Sequence, residues 1–319
     1  MVQDNPLILV GGYGFVGRNI LDAVLQDPAF SQFRPLVIDN LSNACSGHEQ
    51  LGLPECIAHY NDATVKPFLD QHADAPRTFI FLAGETRVAE SKDRPLDFID
   101  ANIKDPAQFV MESVREGDRF ILISTAGALF DGTFEINTDS VYCPKNFYGA
   151  SKAAEEMVLE KLVGLRGAEF SIVRFTNVYG THSELKKSAI HAFTRALLQD
   201  TSVTINGDGE QRRDFVFSGD VGNGVATLAK RMANGDHFDK VNMIGSGETV
   251  SLNDVVAALE SAAQKPLKYQ RDEAKELLAT EPREVSARKS DVEVLLGENI
   301  TSLSSGLKQT FHYYQNLLK

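Results

Sequence analysis

Short apolar runs alternate with helical patterns along the first half of the chain. Residues 7–10, 35–38, 78–82, 120–123 and 170–173 are brief apolar runs rich in branched side chains. Between them, residues 17–26, 105–115 and 151–165 repeat apolar positions at helical spacing. Continuous apolar strands separated by helices predict a parallel sheet covered on both faces. Such sheets bind ligands beyond the carboxyl ends of their strands. Past Tyr179 the alternation loosens. Residues 183–199, 251–263 and 303–317 read as helices, 202–205 as a short strand, and 241–244 as a strand returning to the sheet.

Chemistry gathers where the runs end. Gly11, Gly14 and Gly17 follow the first run with the spacing G-x-x-G-x-x-G. The first glycine permits a tight turn, the second a close approach of phosphates, and the third close packing of helix on sheet. The following helix would offer its first N–H groups, around Phe15 and Val16, to a pyrophosphate. After the second run comes Asp39-Asn40-Leu41-Ser42, with Asp39 22 residues beyond Gly17. An acid there accepts hydrogen bonds from ribose hydroxyls and repels a 2′-phosphate, which favours NAD over NADP. Asp62 follows a shorter apolar run and either reaches the adenine or is a solvated loop acid.

A second motif lies far downstream. Tyr148 and Lys152 stand four residues apart at the start of a predicted helix and share one face. A free phenol, with a pKa near 10, is a poor base at neutral pH. A neighbouring ammonium favours its phenolate, as does the positive nicotinamide of NAD+. The strand 120–123 ends in Ser124-Thr125, either of which offers a hydroxyl to the reacting oxygen or caps a turn. Glycine turn and Tyr-Lys pair together predict a Rossmann-like, doubly wound parallel sheet with a smaller mixed α/β C-terminal lobe. Residues 1–180 are expected to bind NAD, with 216–246 returning to that domain. Residues 181–319 would mainly form the substrate lobe.

Composition narrows the partners. The 319 residues are 43% hydrophobic and 24% charged, ordinary for a globular protein. A net charge of −12 argues against nucleic acid and acidic membranes, and no apolar run approaches a membrane span. Cys45, Cys56 and Cys143 are too widely spaced for a metal site or a paired framework, so no metal and a cytoplasmic location are expected.

These residues resemble the extended short-chain dehydrogenases, in particular the nucleotide-sugar epimerase/dehydratase group and its UDP-glucose 4-epimerase-like members. Tyr148-Gly-Ala-Ser-Lys152 is similar to that family's catalytic motif. Phe81-Leu82-Ala83-Gly84, with Thr86 and Asn102 beyond it, resembles the stretch lining NAD, although Phe81 stands where the family usually has His. Asn177 in Arg174-Phe-Thr-Asn-Val-Tyr-Gly180 matches a substrate-contacting amide. Arg213 matches a residue gripping the nucleotide diphosphate, and Arg283 a second, although the two residues that usually follow it are missing. The resemblance implies a nucleotide-sugar substrate and a homodimer through a four-helix bundle of 105–115 and 151–165. It also makes the catalytic hydroxyl ambiguous, because a count back from Phe130 points to Ala126 rather than Thr125 or Ser124.

Three functions compete. A UDP-hexose 4-epimerase-like enzyme oxidises a sugar hydroxyl transiently and returns the hydride to the other face. A 4,6-dehydratase or reductase acts on a related sugar nucleotide. Dehydratases of the family carry Asp-Glu after the catalytic Thr, whereas this chain has Ala126-Gly127, which cannot shuttle protons. A non-catalytic NAD-binding sensor would be expected to lose Tyr148 or Lys152.

Overall fold

The structure, a computed structural model, describes residues 5–130, 134–272 and 284–318. With strands numbered along the chain, β1 (Asn5–Val10), β2 (Phe33–Asp39), β3 (Glu55–Ile57), β4 (Thr78–Phe81), β5 (Arg119–Thr125), β7 (Glu169–Phe175) and β12 (Val241–Ile244) form one sheet. Its spatial order is β12-β7-β5-β4-β1-β2-β3, and every pairing is parallel. The chain runs outward from β1 to β3, then crosses to β4 on the other side of β1. That reversal opens a crevice at the carboxyl ends of β1 and β4.

Strand periodicity assigns the core. Leu7 and Leu9 point to one layer, with Ile20, Leu21 and Val24 of α1 (Phe15–Gln26) and Val225, Leu228 and Met232 of α7 (Ser218–Asn234). Ile8 and Val10 point to the other, with Val65 and Leu69 of α2 (Val65–His72), Phe109 and Val110 of α4 (Asp105–Ser113), and Leu159 and Val163 of α5 (Phe147–Leu165). Each fully buried side chain of this kind contributes about 1.5–3 kcal/mol. Both faces are therefore covered, as the unbroken apolar runs predict.

Helix ends differ from the periodic pattern for local reasons. α1 begins at Phe15 rather than Gly17, because Gly14 already takes the extended N-cap conformation. α5 begins at Phe147 rather than Ser151, because the Asn146 side chain caps it by accepting from Gly149 N at 2.8 Å. Tyr148 is thereby drawn into the first helical turn. The expected helix 183–199 is only α6 (Ala189–Gln199), since Ser188 is extended. α4 stops at Ser113, where Val114 turns extended. A short α3 (Pro95–Ile99) runs through a π-helical turn, Asp100–Lys104, into α4.

Beyond the sheet, α6, α8 (Leu252–Ala263) and α10 (Leu303–Leu317) enclose a separate core around Phe193, Val255 and Leu307. α9 (Lys289–Leu296) packs on β12 and α7. Four small ribbons connect these parts: β6 (Glu135–Ile136) with β15 (Ser286–Ala287), β8 (Asn177–Tyr179) with β11 (Phe215–Phe217), β9 (Ser202–Asn206) with β14 (Lys268–Asp272), and antiparallel β10 (Arg212–Arg213) with β13 (Val250–Ser251). Asp214, fully buried, accepts from Thr176 Oγ1 at 2.9 Å, Ser246 N at 2.7 Å, Ser246 Oγ at 2.8 Å, and Gly247 and Ala287 N at 3.1 Å. No described helix is long and apolar enough to cross a membrane.

Candidate active site

The glycine turn lies at the carboxyl end of β1, against that of β4. Gly11 takes φ +80°, and a Cβ there would stand 3.1 Å from Ala83 N. At Gly17 a Cβ would fall 2.5 Å from Gly12 O, so glycine holds α1 against the turn. α1 has no side-chain cap and no acid in its first turn, leaving its amino end electropositive. Asp39 ends β2 beside this turn. Its carboxylate accepts from Tyr13 N at 2.9 Å and Leu41 N at 2.7 Å, which fixes it at the crevice edge. Asn40 and Ser42 are exposed in the loop that follows.

Tyr148, Lys152 and Thr125 come together where α5 meets the end of β5. Thr125 lies close enough to the Tyr148 phenol to favour its ionised form, whereas Ser124 Oγ is buried without a hydrogen-bond partner among the described residues. Ala126 is fully buried in a cluster with Leu129 and Phe130. Of the two hydroxyls, Thr125 is the one that acts on the Tyr148 phenol, and at Ala126, where the count from Phe130 points, there is no hydroxyl. Lys152 Nζ donates to Ile123 O at 3.1 Å and pairs with the Glu155 carboxylate.

The electrostatics depart from the simple expectation. Burial pushes the Tyr148 phenol above its ordinary value; Lys152 and Thr125 pull it down, and Glu155 pushes it up. The expected help from the ammonium is present but outweighed in the protein alone. Burial opposes the charge of Lys152, but the carboxylate of Glu155 overcomes this and holds its pKa above the usual lysine range. One turn further, Glu156 Oε2 accepts from Arg174 at 2.7 Å and from Tyr142 Oη at 2.5 Å, which locks α5 to β7.

Other expected site residues are placed as follows. Asn102, fully buried, accepts from Glu85 N at 2.8 Å and donates to Glu85 O at 3.1 Å and Ser151 Oγ at 3.0 Å. It clips the Leu82-Ala83-Gly84 segment to α5, while Thr86 beyond it is exposed. Asp62 is exposed and accepts from Thr64 N and Oγ1 at 2.9 and 2.7 Å, the arrangement of a turn acid. Asn177 Nδ2 donates to Asp214 O at 3.1 Å, so the amide lies beside the strand carrying Arg213. Arg213, half-buried, donates from Nη1 to Arg212 O at 2.8 Å. Arg283 lies outside the described residues.

Two residues escaped the sequence reading. Arg18, in the helix after the glycine turn, is buried, and its Nε and Nη1 have no hydrogen-bond partner among the described residues. A cation directly after the third glycine was the available signal. Glu155 is fully buried, although an adjacent Glu-Glu pair on a helix reads as a solvated face. Among the described residues no cluster of His, Cys, Asp or Glu could hold a metal ion.

The donor set fits a dinucleotide. The open amino end of α1 and the Arg18 guanidinium, whose Nε and Nη1 lack a hydrogen-bond partner among the described residues, suit a pyrophosphate. The backbone-held Asp39 suits ribose hydroxyls, and Lys152 a second ribose.

The whole chain is similar to known proteins. A UDP-glucose 4-epimerase of Mycolicibacterium smegmatis is 24% identical over 325 residues, covering 97% of this chain and 98% of that protein. The solved UDP-glucose 4-epimerase of Thermotoga maritima, bound to UDP-glucose, superposes with a TM-score of 0.83 at 25% identity, covering 98% of this chain and all of the other. An NAD-dependent NDP-hexosamine 5,6-dehydratase of tunicamycin biosynthesis gives a TM-score of 0.81 at 25% identity, covering 98% of each chain. The profile of the NAD dependent epimerase/dehydratase family matches residues 7–243, and with glycine turn, Asp39 and Tyr-Lys pair in place the chain belongs to that family of NAD-dependent enzymes.

Proposed function

We propose that this protein is a nucleotide-sugar epimerase of the UDP-hexose 4-epimerase kind. The observation that carries the reading is the Thr125–Tyr148–Lys152 set at the crevice mouth, with side chains beyond Thr125 that cannot move protons. Tyr148 accepts the proton of the sugar hydroxyl and returns it once the alcohol re-forms on the other face. Thr125, beside the phenol, favours its ionised form and offers a hydroxyl to the reacting oxygen. Lys152 holds a ribose and lends positive charge to the phenolate. NAD, when bound, supplies the hydride acceptor and returns the same hydride. Ala126 is apolar and Gly127 has no side chain, which disfavours water elimination; the likeness to a dehydratase keeps that reaction as the second reading.

The division of labour follows the sheet. Residues 1–180 with 216–246 hold the cofactor, and 181–319 mainly the sugar nucleotide through Asn177, Arg213 and Arg283. Asp62 would approach the adenine. A homodimer through α4 and α5 is supported by half-exposed Met111 and Met157 on these two packed helices. Three unpaired thiols are compatible with the reducing cytoplasm.

The test is incubation with NAD and a panel of UDP- and other NDP-sugars, with products identified by NMR. Interconversion of 4-epimers is expected; an unsaturated or deoxy-keto product would replace this reading with the dehydratase one. Arg213→Ala should weaken nucleoside diphosphate binding about 10–150-fold, the value of one charge-assisted hydrogen bond, and spare NAD. Equal affinity of both proteins would remove Arg213 from the site.

A further inference from the structure

Glu155 occupies a costly position. It stands one turn beyond Lys152 on the sheet-facing side of α5, fully buried, with Leu159 of the apolar core one turn further on. Its partner is the Lys152 ammonium; neither carboxylate oxygen receives a hydrogen bond meeting ordinary geometry from any described group. A valine or leucine would fill such a site without desolvating a charge, and buried ion pairs are often no more stabilising than apolar replacements. The carboxylate therefore needs another reason to be there, and its one strong neighbour is the lysine of the catalytic set.

We propose that Glu155 is a positioning residue for the reaction: its carboxylate anchors the Lys152 ammonium and offsets, by its own charge, the pull of that ammonium on Tyr148. The inference rests on the epimerase/dehydratase reading of the site. Lys152 is fixed from two directions, by Ile123 O and by Glu155, before any ligand arrives. Charge is balanced in the empty site, so Tyr148 stays a phenol there and ionises when the positive nicotinamide tips that balance. Burial pushes the Glu155 carboxyl up, and the pull of Lys152 opposes this.

The surrounding charges are few. On α5 itself they are Tyr148, Lys152 and Glu156, the last committed to Arg174 of β7. From the segment after β3, Tyr60 feels both Glu155 and Asp105 of α4. From β5 comes the Thr125 hydroxyl on Tyr148.

Glu155→Gln tests this, because it keeps the volume and an acceptor for Lys152 but removes the charge. Two quantities are read against pH: NAD affinity, with no sugar present, and kcat. Without the carboxylate, both Tyr148 and Lys152 lose protons more easily, so both limbs of each profile should move toward acid by about one pH unit. Glu155→Asp, one methylene shorter, should move them the same way by less. A purely structural role would lower amplitude or melting temperature and leave the limbs in place, and limbs unmoved in whichever variant folds would overturn the proposal. So would failure of both variants to fold. NAD profiles that shift without epimerase turnover would uphold Glu155 and reject the reaction; loss of NAD binding in the wild-type protein would reject the reading beneath both.

Discussion

Gly149 sits between Tyr148 and the loop that follows β5. A Cβ added there would fall 1.9 Å from Ala128 O and 3.0 Å from Pro144 Cβ. Backbone on one side and a proline ring on the other leave no flexible end to yield. Reaching van der Waals distance would take a shift of about 1.5 Å by the first turn of α5 or by residue 128. Two effects then compete in Gly149→Ala. Helix propensity favours alanine by about 1 kcal/mol in a helix interior, and by less in a first turn. Overpacking costs about 1–3 kcal/mol, so the net should be destabilising. With a backbone oxygen as the obstacle the cost lies at the upper end, for a net of about 2 kcal/mol; at about 2–4 °C per kcal/mol for a large domain, the melting temperature should fall by roughly 4–8 °C. The larger effect is on chemistry, because the displaced turn carries Tyr148. A 1 Å misplacement costs on the order of 10²-fold in rate. NAD affinity should change less, since the glycine turn belongs to another strand. Calorimetry, NAD titration and turnover of the accepted sugar nucleotide measure the three quantities. A Gly149→Ala protein with wild-type kcat and a raised melting temperature would refute the reasoning.

Tyr148→Phe should bind NAD nearly as wild type and lose about 10²–10⁴-fold in turnover, as expected for deletion of an acid/base group; near-normal turnover would exclude Tyr148. NAD should bind more tightly than NADP because the Asp39 carboxylate at the crevice edge would repel a 2′-phosphate, and Asp39→Ala should narrow the difference; titration of cofactor-free protein with both dinucleotides checks this. His191 is buried and bonded through Nδ1 to Ser188 Oγ at 2.7 Å, and burial lowers its pKa to about 3. The folded state resists its protonation while the unfolded state accepts it, so its stabilising contribution is intact above pH ~6.5 and is lost as pH falls toward 3. His191→Gln should remove up to about 1.4 kcal/mol per pH unit from that acid slope in urea unfolding, and an unchanged slope would show that other groups set it.

The layered fold was legible because β1, β2, β4 and β5 each carry an unbroken apolar run, and unbroken runs require cover on both faces. The glycine turn, Asp39 and Tyr148–Lys152 were legible because their chemistry depends on spacing along one strand-turn-helix unit. What stayed hidden depends on partners distant in sequence. The two-residue pairing of Glu135–Ile136 with Ser286–Ala287 leaves no periodic trace. That Thr125 rather than Ser124 acts on the Tyr148 phenol depends on side-chain direction at the end of β5, which the count along the strand does not carry. Glu155 and Glu156 look like ordinary surface acids until Lys152 and Arg174 are placed against them.

Asp214 collects donors from the ends of β7, β12 and β15, three stretches that meet only in the finished fold. The residue before it is Arg213. One carboxylate therefore acts as a keystone, with the proposed diphosphate-binding side chain set directly on it. Loops that supply none of these hydrogen bonds can vary in sequence while the keystone keeps its donors. Descendants of such a scaffold could be refitted for a different sugar by altering those loops, leaving the reactive centre on the sheet untouched.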